Sequence, residues 1–205
     1  MKRLLFSVCL GAVCASAQYK LESAGAPPSE VAPAIRDALQ KDGAKITGPK
    51  GTVAEVWLRS SVPSTPNTEQ NASFTDIAHG TLMGVIRLPV KGSDRRGQPI
   101  QAGVYTLRLS FYPVDGAHQG VAPTRDFLLM ALAAGDTDLN ATPSFDELVV
   151  MSKKAAGSPH PAILNAWKPD SAAGPALKQE GEDWVLYSTV GGRPIALIVV
   201  GTYQS

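Results

Sequence analysis

His118, Asp126 and His160 are the side chains of this 205-residue sequence whose types best suit acid–base or metal chemistry. A histidine beside a carboxylate makes a general base, and two histidines with one carboxylate make a facial metal site. His118 and Asp126 share the loop after Tyr112, where Asp115-Gly116 is a turn dipeptide and Arg125 stands next to Asp126. On that reading the chain is a metal-dependent or acid–base hydrolase. Spacing adds no support, because the HxH, HExxH and G-x-S-x-G patterns are missing. The plainer account makes His118 a surface residue and leaves Asp126 and Arg125 to pair with each other or tie down backbone amides.

A second set lies further on: Asp136, Asp138 and Asn140, with Glu147 twelfth in the count from Asp136. Alternate carboxylates followed by a distant glutamate are how an EF-hand loop offers hard oxygens to calcium. Positions 1, 3, 5 and 12 match, and Ser144 falls at position 9. Ala141 stands where the sharp turn wants glycine, and Pro143 takes the eighth position. The alternatives are a calcium-stabilised domain, with Ca2+ as its one candidate cofactor, and a solvated acidic loop whose Glu147 only completes an S-x-x-E capping box from Ser144. His79 and His160 are lone loop histidines. Trp57, Trp167 and Trp184 either line a sugar-stacking face or fill a core.

The elements that would position these residues read as mostly strand. Val31, Ile35 and Leu39 fall on one face of a short helix, with Ser29 as its cap and Pro33 in its first turn. Residues 18–28 look like a leader, so 18–43 forms a leader with an N-terminal helix. Strands follow at Thr52–Arg59, weakly at 73–78, and at Thr81–Val90, where Gly84 suggests a bulge. Val104–Tyr112 alternates, with Tyr105, Leu107, Leu109 and Phe111 on one face and Thr106, Arg108 and Ser110 on the other. That pattern predicts a half-buried strand with one wet face. Asp126–Ala133 is apolar on both faces and reads as a central strand. The capping box at Ser144 opens a second helix that Gly157 can end, and Arg95-Arg96 reads as a solvated tip. A hairpin, Trp184–Val190 and Ile195–Tyr203 around Gly191-Gly192, closes the chain. Many short strands and two helices predict one mainly β domain over 44–205, an antiparallel β-sandwich, Ig-like or jelly-roll-like.

Residues 1–17 read as a signal peptide. Lys2 and Arg3 precede an apolar run, and Ala15-Ser16-Ala17 forms an A-x-A cleavage site. The expectation is a periplasmic or secreted chain cleaved after Ala17, with no membrane span left. Cys9 and Cys14 would leave with the segment, taking thiol chemistry with them. Of the 19 basic residues, 17 would remain against 18 acidic ones, which gives no footprint for nucleic acid.

Asp94–Arg108 (D-R-R-G-Q-P-I-Q-A-G-V-Y-T-L-R) and Pro113–Phe127 (P-V-D-G-A-H-Q-G-V-A-P-T-R-D-F) resemble secreted bacterial proteins of unknown function. Ser152–Leu164 looks like a third piece of that pattern. The resemblance implies an exported β-rich domain and assigns no catalytic residue. The leading expectation is therefore an exported, non-catalytic module with a binding or structural role, its candidate partner a carbohydrate or another protein.

Overall fold

A computed structural model describes residues 18–114, 125–171 and 174–201. The expected signal peptide and His118 both lie outside those residues.

The chain runs β1 (Lys20–Ser23), α1 (Pro33–Ala38), β2 (Ala44–Gly48), β3 (Gly51–Leu58), β4 (Leu82–Leu88), β5 (Gly92–Ser93), β6 (Pro99–Ile100), β7 (Gly103–Phe111) and β8 (Asp126–Leu132). It continues with α2 (Phe145–Ala156), β9 (Ile163–Trp167), β10 (Ala176–Glu180), β11 (Asp183–Val190) and β12 (Arg193–Val200). Among the described residues, ten strands form one antiparallel sheet in the order β1-β2-β3-β4-β7-β8-β9-β12-β11-β10. The sheet curls until β1 approaches β10, so it is nearly closed into a barrel. The sequence pointed instead to two facing sheets. Alternation along a strand reports only that one face is covered, and a curled single sheet meets that condition as well as a sandwich does.

Inward-facing residues fill the barrel: Ile46, Val56, Leu58, Met83, Ile86, Leu107, Leu109, Leu128, Met130, Leu186 and Leu197 belong to one buried cluster. Both mouths are plugged. At one end, residues 60–80 fold across, inserting Phe74 and Ile77, both fully buried. The strand expected over 73–78 is absent there, because those two side chains point into the barrel from a turn. At the other end, the small β5–β6 hairpin places Ile100 in the core. Its tip is not free in solvent as expected. Arg95 Nε reaches both Asp183 oxygens at 3.2 and 2.9 Å, and Arg96 Nη2 donates to Asp94 at 2.7 Å and to Pro161 O at 3.0 Å.

The helices pack on the outside. Pro33 begins α1, where a missing N–H costs nothing. Ile35, with Val31 and Leu39 flanking the helix, packs on Trp57, Leu82 and Val85. Ser29 does not cap α1: Ala32 is the N-cap, and the Ser29 hydroxyl turns to Glu30. The box at Ser144 does form on α2, and Gly157 ends that helix in the left-handed region at φ 64°. Leu148 of α2 packs on Tyr112, Phe127, Leu129 and Ile163.

Gly84 sits at a register shift between β4 and β7, with Trp57 O only 2.5 Å from where a Cβ would be. Gly191 and Gly192 make the β11–β12 turn with φ 55° and 77°, the two positive values that a type I′ turn requires. Residues 20–23, expected within a leader, form β1 instead. Strand β7 corrects another expectation: Thr106, Arg108 and Ser110 are buried, not wet. The 133–144 segment and α2 roof that face of the barrel.

Candidate functional site

The roofed face of β7 carries the densest polar network. Arg108 Nε and Nη2 donate to the two Asp136 oxygens at 2.7 Å each, a bidentate pair. Nη2 also donates to Asp138 O at 2.7 Å, and Nη1 to Gly80 O at 2.8 Å and Ala141 O at 2.6 Å. All five guanidinium N–H groups are thereby used. Thr106 Oγ1 adds a 2.6 Å bond to Asp136. The network pins the 136–141 loop onto the barrel wall.

That arrangement engages the calcium candidates in other bonds. Both Asp136 oxygens face Arg108. Asp138 Oδ1 accepts from Asn140 N at 2.9 Å. Glu147 Oε2 accepts from Ser144 N and Ser144 Oγ, each at 2.8 Å, and these bonds hold its carboxyl below the ordinary range. Among the described residues, no three His, Cys, Asp or Glu side chains cluster as they would around a metal ion.

The hydrolase candidates are also accounted for where they are described. Asp126 is fully buried at the start of β8, and its oxygens accept from Ser73 N at 2.7 Å and Phe74 N at 3.0 Å. It ties down the plug, as the plainer sequence account had it. Arg125 does not bond to it. Arg125 donates to Tyr112 O, Gln70 O and Glu69. His160 is exposed, its backbone held by the Ser158 hydroxyl.

His79 makes a contact that sequence reasoning missed. Its Nε2 lies 3.1 Å from Ser110 Oγ, and its ring sits near the rings of Phe111 and Phe145. Burial pushes the imidazole below its ordinary value, although the Glu69 charge and a backbone hydrogen bond at Pro143 act the other way. A base beside a hydroxyl is the start of a nucleophilic pair. Ser110 is fully buried, however, so the pair acts as a structural pin. No local motif marks it, since 31 residues separate the partners.

The tryptophans do not form a common face. Trp57 is buried under α1 and donates to Gly25 O at 2.8 Å. Trp167 meets Tyr187 edge-on, and Trp184 meets Tyr19 with 5.3 Å between ring centroids.

The Tyr19–Trp184 contact marks the barrel's seam. Tyr19 precedes β1 and Trp184 lies on β11, so the rings clasp one end of the gap between the edge strands. At the other end, Gln40 Nε2 donates to Thr189 O at 2.7 Å. A cleft of about 370 Å3 opens at that second end. Its floor is apolar, with core residues Val56, Leu58 and Leu186, and its rim is polar, with Glu22, Asp42 and Ser188. Lys45 and the Thr47 hydroxyl hold the Glu22 carboxyl below its ordinary range. A second cavity, about 190 Å3, lies under the β5–β6 hairpin between Met130, Leu164 and Arg95.

No protein-family model matches the chain, and neither does any curated protein or any solved structure.

Proposed function

We propose that the protein is an exported, non-catalytic β-barrel module that binds a small amphiphile in the seam cleft. One observation carries the reading. Both mouths of the barrel carry plugs, and of the two cavities that core residues line, the seam cleft with Val56, Leu58 and Leu186 is larger than the one under the β5–β6 hairpin. Small-molecule sites are concave and mostly apolar, with a few polar groups to orient the ligand, and run from roughly 300 to 1,000 Å3. At about 370 Å3 the cleft falls in that range.

The rim specifies the head group. Glu22 is paired with Lys45 at 3.0 Å, so Asp42 is the rim carboxylate that favours a head donating hydrogen bonds, such as a primary amine, over one that carries negative charge. Catalysis is not supported by the same residues. Asp126 holds two backbone amides, Asp136 holds Arg108, and Ser110 is sealed beneath α2 and its preceding loop.

The test is displacement of Nile red from the mature chain by alkylamines and by fatty acids of matched length. The reading expects saturable, one-to-one binding with amines ahead of acids, and its loss in Ser188→Trp, which fills the cleft. Binding that Ser188→Trp leaves unchanged, or no saturable binding at all, overturns it.

A further inference from the structure

Two arginines approach each other on the outer face of the barrel, and their surroundings differ sharply. Arg108 donates all five of its N–H groups. Arg59, just past the end of β3, is 7% exposed and has almost nothing to donate to. Its Nε is enclosed with no hydrogen-bond partner, and its Nη1 reaches Leu82 O only at 3.4 Å. That distance is longer than a normal N–H···O bond of roughly 2.7–3.2 Å. No carboxylate among the described residues pairs with it.

The side chain cannot escape by moving its backbone. Arg59 N donates to Met83 O at 2.9 Å, and Arg59 O accepts from Gly191 N at 2.9 Å. Both bonds fix the residue between β4 and the β11–β12 turn. Burial and the neighbouring Arg108 charge each disfavour its protonated form, yet a guanidinium stays charged in proteins. A buried charge without a partner is strongly unfavourable, and proteins nearly always supply one. Asp136 cannot serve, since both its oxygens are held by Arg108 and Thr106.

We infer that Arg59 is an anion site, where the Nε–Nη2 edge of the guanidinium takes one carboxylate or phosphate group from solvent. That edge presents two parallel N–H donors, the geometry that matches two oxygens of a planar carboxylate or of a phosphate. Nε is enclosed, so the anion enters from the Nη2 side, and seating it on both donors requires a side-chain shift that uncovers Nε. The neighbouring Arg108 adds positive potential, although Asp136 neutralises most of it. The inference is independent of the seam cleft, because Arg59 is not among the residues that line it.

Thermal unfolding of the full chain in sodium phosphate, sodium acetate and sodium chloride at equal ionic strength tests the site, in the wild type and in Arg59→Met. Phosphate also stabilises proteins by exclusion from their surfaces, so the readout is the difference between the two proteins. At ten times its dissociation constant, a bound anion raises the wild-type Tm by about 3–6 °C over the variant's response. In chloride, Arg59→Met melts higher than the wild type, since it removes the unpaired charge. The acetate and phosphate arms identify which oxygen group the site prefers. Equal responses of the two proteins to both anions overturn the inference. Should Arg59→Met fail to fold, the Arg59 Nε–H resonance of the wild type, identified by its absence in Arg59→Lys, is followed during a phosphate titration. A saturable shift supports the site, and a shift absent up to high phosphate overturns it.

Discussion

Arg108 and Asp136 form a bidentate ion pair that lies outside the barrel core yet is sealed from water, with both side chains at most 4% exposed. The pair joins β7 to the loop that precedes α2. Its cost of desolvation is offset only because each remaining donor of Arg108 also finds a carbonyl. Asp136→Ala removes the counter-charge and leaves a buried guanidinium, which is expected to cost about 3–5 kcal/mol. The joint change Arg108→Met with Asp136→Leu is expected to cost much less. Urea unfolding of both variants checks the order, and a double change as damaging as the single one contradicts it.

Asp126 has a different role, as a carboxylate anchor for two backbone amides. Asp126→Ala leaves Ser73 N and Phe74 N without acceptors, at about 1–3 kcal/mol for each buried donor. The plug over residues 60–80 is then expected to open more often than the barrel unfolds. Amide hydrogen exchange reports it directly: exchange at Phe74 should accelerate far more than at Leu107 in β7.

His79 makes stability depend on pH in a defined window. Burial depresses its folded-state pKa below the ordinary 6.5, so the unfolded chain binds the proton more readily. Stability from this group is complete above the ordinary value and declines as pH falls below it. Carboxylates such as Glu147, held below their ordinary 4.5, act at lower pH. Between pH 7 and pH 5.5 the wild type should lose stability and His79→Gln should lose less. Parallel curves for the two proteins count against the assignment.

For calcium, the expected outcome is no effect. Asp136 is already bound to Arg108 and Glu147 to Ser144, so the loop would have to break both sets of bonds to coordinate an ion. Melting temperatures with millimolar calcium and with EDTA should coincide. A rise with calcium that is absent in Asp138→Asn contradicts this.

Short-range patterns in the sequence were readable wherever the physics is local. The Ser144 capping box, the Gly157 stop and the Gly191-Gly192 turn all depend on residues close in sequence, whereas the bulge at Gly84 was readable only from the glycine itself, its cause being the distant Trp57 and β7. The central, doubly covered strand β8 was readable from its unbroken apolar run. Strands β1 and β10 were not, because K-L-E-S and A-L-K-Q-E are edge strands with mostly exposed side chains and so carry little apolar pattern. The polar face of β7 misled for a related reason: Thr106, Arg108 and Ser110 look solvent-facing until a partner 28 residues away is known to cover Arg108. The candidate cleft had no local signature either, since its walls come from residues near 22, 42, 56, 175 and 188.

The seam also bears on how the chain reaches this state. Its two edge strands lie near opposite ends of the sequence, and the Gln40–Thr189 bond across it spans 149 residues. Contacts of such sequence separation require an entropically expensive ring closure before they return any energy. Neighbouring hairpins such as β2–β3, β7–β8 and β11–β12 can zip locally and early, whereas joining the first and last arcs of the wall waits for both to exist. Until then β1 and β10 are two bare edges of one unfinished sheet, the state in which a second chain competes most directly with the protein's own end.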